Sequence, residues 1–233
     1  MGACVIFSCF IKAIGQMGDP RFRRVVVLGV LLALALLAGV YAGFLWLIES
    51  LAPGSVDIPL VGPVGGIDTL LGWGSLLFML GLSVFLMVPV ASAFSGLFLE
   101  DIADAVEDRH YPGLAQVPPM RLADTLVDSL NFLGVLIAAN VLAIFLYAFA
   151  GPLIPVLFWG LNGWLLGREY FTLVAMRRLG RAGAKALRAR HPLRIWMAGI
   201  LMAAPLSVPL VNLVIPVLGV ATFTHLFHRL NRP

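Results

Sequence analysis

The chain has 233 residues, of which 61% are hydrophobic and only 12% charged, and its mean hydropathy is +0.98. A water-soluble domain carries about a quarter of its residues as Asp, Glu, Lys and Arg, so this composition excludes that class and places the chain in lipid. The net charge of +4 is too small, and too confined to the flanks of apolar runs, for a nucleic-acid binder, and Cys4 and Cys9 together close at most one small loop, which excludes a disulfide-stapled domain.

Residues 1–18 are expected to form a retained interfacial helix, because the first cation, Lys12, follows the apolar stretch Val5 to Ile11, the reverse of the order in a cleaved signal. From Val25 to Ile48 there are 24 consecutive uncharged residues. At about 1.5 Å per residue a helix of that length crosses a hydrocarbon core of about 30 Å, which gives a first span at 25–48. Residues 53–66 hold three prolines and four glycines and are expected to be a loop. A second span is expected at 70–99, uncharged throughout, with Pro89 as a kink and Glu100 and Asp101 at its exit.

The run Ser129 to Gly167 is uncharged for 39 residues and is broken by Ala150-Gly151-Pro152 and Pro155, so 130–167 is expected to be a helical hairpin. The run Ile195 to Thr224 is cut by Pro205, Pro209 and Pro216 into pieces shorter than the ~20 residues needed to cross, and 195–224 is expected to enter the bilayer and return. Irregular backbone at that depth is tolerated where it is buried in protein or lines a watery path. The expected fold is therefore a single all-α integral membrane domain with two long transmembrane helices, two helical hairpins that penetrate partly or fully, and amphipathic cytoplasmic helices.

Lys12, Arg21, Arg23 and Arg24 precede the first span, the loop from Glu49 to Asp68 has no cation, and residues 168–194 hold eight, so the N-terminus is expected in the cytoplasm. Two polar stretches are expected to be helices outside the lipid. Glu100, Asp101, Asp104, Glu107 and Asp108 share one face opposite Ile102 and Val106 and are expected to be solvated, while Arg177, Arg178, Arg181, Lys185 and Arg188 form a basic stripe suited to anionic headgroups.

The most informative cluster is Asp19-Pro20-Arg21-Phe22-Arg23-Arg24. Proline suits a first helical position, so unpaired amides at the positive end of the helix dipole meet three guanidiniums there, and a tetrahedral dianion fits both donor types. Asp19 competes for the same amides. At the end of a hairpin arm, Asn162 and the neighbouring Arg168 and Glu169 sit near membrane depth, where charges pair or face a polar cavity. Glu169 lies about 100° around the helix from Arg168, so each is expected to find another partner. Gly163 and Gly167, like Gly39 and Gly43, permit close helix contacts, in a tight hairpin or an oligomer. Asn212, between Pro209 and Pro216, can satisfy freed backbone or meet a permeant ion. His225 and His228, three apart, lack a third ligand for a metal. No phosphate-binding loop, nucleophile elbow or zinc-protease motif occurs, so no enzyme activity and no cofactor are expected.

Three segments in this order, Pro20 to Arg24, Asn162 to Phe171 and Pro209 to Thr222, resemble the CysZ sulfate permeases, part of the wider family named after the etoposide-induced protein. The resemblance covers nearly the whole chain and rests on joint order and hydropathy. It implies two long transmembrane helices with two partly penetrating hairpins, assembled as an oligomeric channel that takes up sulfate, with sulfite as a related anion, without ATP across the bacterial inner membrane for cysteine synthesis. In the family a Gly-Leu-Arg-Arg stretch at the start of the first long helix binds sulfate. Here it reads Arg21-Phe22-Arg23-Arg24, so both arginines carry over to Arg23 and Arg24 and the glycine is replaced by Arg21. Asn162, Arg168, Glu169 and Asn212 are then candidates for the pore lining. A membrane scaffold that binds partners through its acidic and basic helices is the competing expectation.

Overall fold

The computed structural model describes residues 2–51, 56–58, 62–64, 98–115, 117, 122–207 and 214–231. Its helices are α1 (Gly2–Gly15), α2 (Pro20–Leu51), α3 (98–110), α4 (Leu122–Ala150), α5 (Ile154–Arg190), α6 (Pro192–Ala203) and α7 (Ile215–Leu230). The chain divides into two compact units, residues 28–93 and residues 1–27 with 94–233. In the first, the only described strands are β1 (Val56–Ile58) and β2 (Gly62–Val64), paired antiparallel with Val56 opposite Val64. The expected loop at 53–66 thus contains a three-residue ribbon. The expected second span, 70–99, lies outside the described residues except for its last two.

Among the described residues, two stretches are long and apolar enough to cross a membrane, Pro20–Gly43 and Gly134–Arg190. Leu31, Leu34, Ile144, Phe145 and Phe149 are exposed along them, Phe149 to 90%. Bare apolar faces of this kind need lipid or another apolar surface against them. α2 starts at Pro20, where a proline's missing N–H costs nothing. α4 ends at a 3-10 turn, Gly151–Leu153, in which Gly151 takes φ +49° before Pro155 restarts the helix. α6 and α7 have 12 and 16 residues, each below the length of a full crossing.

The core of the larger unit is built around α7, with Phe22, Phe171, Phe223, Leu226 and Phe227 fully buried. α1 presents Ile6, Cys9 and Ala13 to it at helical spacing and leaves Phe7, Ile11 and Ile14 outside. Cys9 and the exposed Cys4 are both free thiols. α5 and α6 run antiparallel in close contact through glycines: a Cβ on Gly199 would lie 1.8 Å from the Gly163 carbonyl oxygen, and one on Gly167 2.5 Å from that of Ile195. The Gly163 and Gly167 pair noted in the sequence therefore serves an intrachain crossing. α5 also bends at Gly180 (φ 66°, ψ 177°), so its last turns fold back and Arg188 Nη1 donates to Thr172 Oγ1 at 2.6 Å.

Candidate functional site

The start of α2 is built on Asp19. Its Oδ1 accepts the Arg21 N–H at 2.9 Å, its carbonyl accepts the Arg23 N–H at 3.1 Å, and Gln16 Nε2 donates to its Oδ2 at 3.3 Å and to the Ala105 carbonyl at 2.8 Å. The competition expected from Asp19 is realised at the Arg21 amide. Phe22 and Val25 point into the core and root the helix, so Phe22 offers only its backbone to a ligand. The three arginines separate in role. Arg21 Nη1 meets Asp108 Oδ2 at 2.7 Å, whereas Arg23 and Arg24 are exposed and have no side-chain partner among the described residues.

Arg21 borders a polar cleft of about 530 Å³, lined also by Asp104, Glu107, Asp108, Tyr111 and Arg178 with the backbone turn that follows α3. Its floor is an ionic cluster. Arg178 forks onto Glu107, Nε to Oε1 at 2.8 Å and Nη2 to Oε2 at 2.7 Å. His228 Nε2 lies 2.8 Å from Glu107 Oε1, Arg177 Nη1 lies 3.5 Å from Oε2, and Arg177 also pairs with Asp104. Burial alone would push the Glu107 carboxyl up, but hydrogen bonds from Arg178 and His228 and the charges of Arg177 and Arg178 outweigh it and hold it down at about 2. Tyr111 stacks on His228 with ring centroids 4.2 Å apart, and its hydroxyl lies 3.0 Å from His225 Nδ1. Burial, then the charges of His110, Lys12, His228 and Arg229, bring His225 down to about 3. It is therefore neutral at pH 7, and its Nδ1 shares a hydrogen bond with the Tyr111 hydroxyl.

This cluster corrects two expectations. The acidic face of α3 is not simply solvated, since Glu107 is buried and Asp104 and Asp108 are paired. Nor is the basic stripe wholly a headgroup surface, because Arg177 is buried with its side chain 2% exposed. Opposite charges on two predicted helices were the available signal. Tyr111 and His110 carried none.

Three of the candidate pore residues, Asn162, Arg168 and Glu169, lie on α5. Asn162 Nδ2 donates to the Phe158 carbonyl of its own helix at 2.8 Å. The Arg168 guanidinium sits 5.7 Å from the Trp164 ring centroid, a cation–π arrangement. Glu169 is half-buried on the next position of α5, and Asn212 lies outside the described residues.

The family model described as "Sulfate transporter CysZ/Etoposide-induced protein 2.4" matches residues 9–216. The chain belongs to this family. No individual curated protein matches it. Membership in this family agrees with the two membrane-capable apolar stretches among the described residues.

Proposed function

We propose that the protein carries sulfate, and the related anion sulfite, across the bacterial inner membrane without ATP, as a homo-oligomeric channel or permease that supplies cysteine synthesis. The observation that carries this reading is the exposed pair Arg23 and Arg24 at the positive end of the long apolar helix α2, in a chain of the sulfate-transporter family. A dianion takes bidentate guanidinium contacts there and gains from the helix dipole. In this reading the N-terminus is cytoplasmic, 130–167 and 195–224 are the two penetrating hairpins, and Asn162, Arg168, Glu169 and Asn212 border the path. Asp19 already occupies the Arg21 amide, so the guanidiniums carry most of the affinity.

The competing scaffold reading needs acidic and basic helices free for partners. Asp104, Glu107 and Asp108 are instead engaged with Arg177, Arg178 and Arg21 of the same chain, which weighs against it. The test is uptake of radiolabelled sulfate into proteoliposomes. Arg23→Ala with Arg24→Ala is expected to lower uptake at least tenfold, and equal uptake by wild type and variant rejects the site.

A further inference from the structure

Where the family resemblance implies a glycine, this chain carries Arg21, a third cation two residues before Arg23 and one turn before Arg24. The structure does not leave that cation open. Its Nη1 sits 2.7 Å from Asp108 Oδ2 at the rim of the 530 Å³ cleft. The two partners differ in how firmly they are held. Asp108 follows Glu107 on α3, and Glu107 is tied to α5 by Arg178 and to α7 by His228, so the Asp108 carboxylate stands on an immobilised turn. Arg21 is 55% exposed, long and single-tethered, with the open cleft beside it.

A carboxylate and a sulfate oxygen seek the same guanidinium fork. We propose that Asp108 is a built-in competitor of the transported anion: it holds Arg21 when the site is empty and yields it to a dianion bound at Arg23 and Arg24. Asp108 thereby sets the affinity of that site as a positioning residue without touching the anion. The inference rests on the transport reading and adds to it a residue on another helix, 84 positions beyond Arg24. A solvent-exposed pair at this distance is weak, so its release changes affinity modestly, by about two- to fivefold.

The experiment is isothermal titration of sulfate into the full-length protein in detergent at low ionic strength, as a double-mutant cycle. Asp108→Asn is expected to tighten sulfate binding about two- to fivefold with an unchanged melting temperature. Arg21→Gln is expected to bind no better than wild type, and the gain from Asp108→Asn is expected to vanish in the Arg21→Gln background. Asp108→Ser repeats the cycle should the asparagine variant fold poorly. If wild type binds sulfate and Asp108→Asn binds it equally or more weakly, the competitor role is overturned while the transport reading stands. A gain that survives in the Arg21→Gln background overturns it too, since general charge removal then accounts for the effect. Absence of sulfate binding in wild type itself overturns the transport reading, and the competitor role with it.

Discussion

Glu107 is the residue on which the larger unit should depend most for its polar cohesion, and Glu107→Gln tests this at nearly constant volume. The carboxylate is 7% exposed and faces three cationic or protonatable groups, of which Arg177 is 2% and Arg178 18% exposed. Removing one partner of a buried ion pair costs about 3–5 kcal/mol, because the remaining charge stays in a poor solvent. Arg177 keeps Asp104, so the lower end applies. The depression of the Glu107 carboxyl from 4.5 to about 2 gives a comparable figure, on the order of 3 kcal/mol at about 1.4 per pKa unit. For a chain of this length that corresponds to a melting shift of roughly 6–12 °C. The assay is thermal unfolding in detergent micelles followed by the intrinsic fluorescence of the five tryptophans. Asp108→Asn, on the exposed side of the same helix, serves as control and should shift by less than ~2 °C. A Glu107→Gln shift no larger than that control would show that the cluster holds nothing together.

Acid should destabilise the protein in two stages, because both groups have depressed pKa values in the folded state and stabilise it only while deprotonated. The His225 contribution is complete above about 6.5 and is lost as pH falls toward 3, and that of Glu107 is lost between about 4.5 and 2. Unfolding midpoints measured from pH 8 to 3 should therefore decline below 6.5, and His225→Gln should flatten the upper stage alone. Gly199→Ala should cost about 3 kcal/mol or more, since its methyl would meet the Gly163 carbonyl, while Gly160→Ala, whose Cβ would make an ordinary 3.9 Å contact with Trp196, should be near neutral. Equal melting temperatures for the two would refute the close crossing. Gly180→Ala has open space around its Cβ and acts through backbone conformation alone, so about 1–3 kcal/mol should be lost in the same melting assay.

The legible parts of the fold were those written in local chemistry. A proline before a charge-free run marks where α2 begins, and a Gly-Pro pair inside a long apolar run marks where α4 stops. Both are backbone constraints that act within a turn or two and survive whatever packs around them. The basic helix that ends at Arg190 was legible, but its continuity with the apolar arm of α5 was not. Charges from Arg168 onward mark where lipid ends, but a helix does not stop at such a boundary. The glycines of α5 announced a close neighbour without naming it, since a small-residue stripe fits an intrachain helix and a second subunit alike. At the candidate site, Arg21, Arg23 and Arg24 were visible as a cluster. Their division into one engaged and two exposed side chains was set by Asp108, 87 positions beyond Arg21.

The same reasoning explains why the acidic face of α3 misleads when read alone. A row of carboxylates at helical spacing has the same hydrophobic pattern whether water or arginine stands opposite it. Burial of Ile102, Ala103, Ala105 and Val106 fixes how α3 is rotated, and that rotation leaves Glu107 at the edge of the apolar contact rather than on the outer side. Arg177 and Arg178 occupy the matching edge of α5, and His228 that of α7. Apolar packing therefore decides which acid is buried, and the buried acid then requires cations, because an isolated carboxylate there would cost several kcal/mol. Lipid-facing surfaces supply no hydrophobic drive for helix association. The core around α7 and this ionic cluster consequently carry the task of holding the root of α2 in place, with Phe22 inside and Arg23 and Arg24 directed outward.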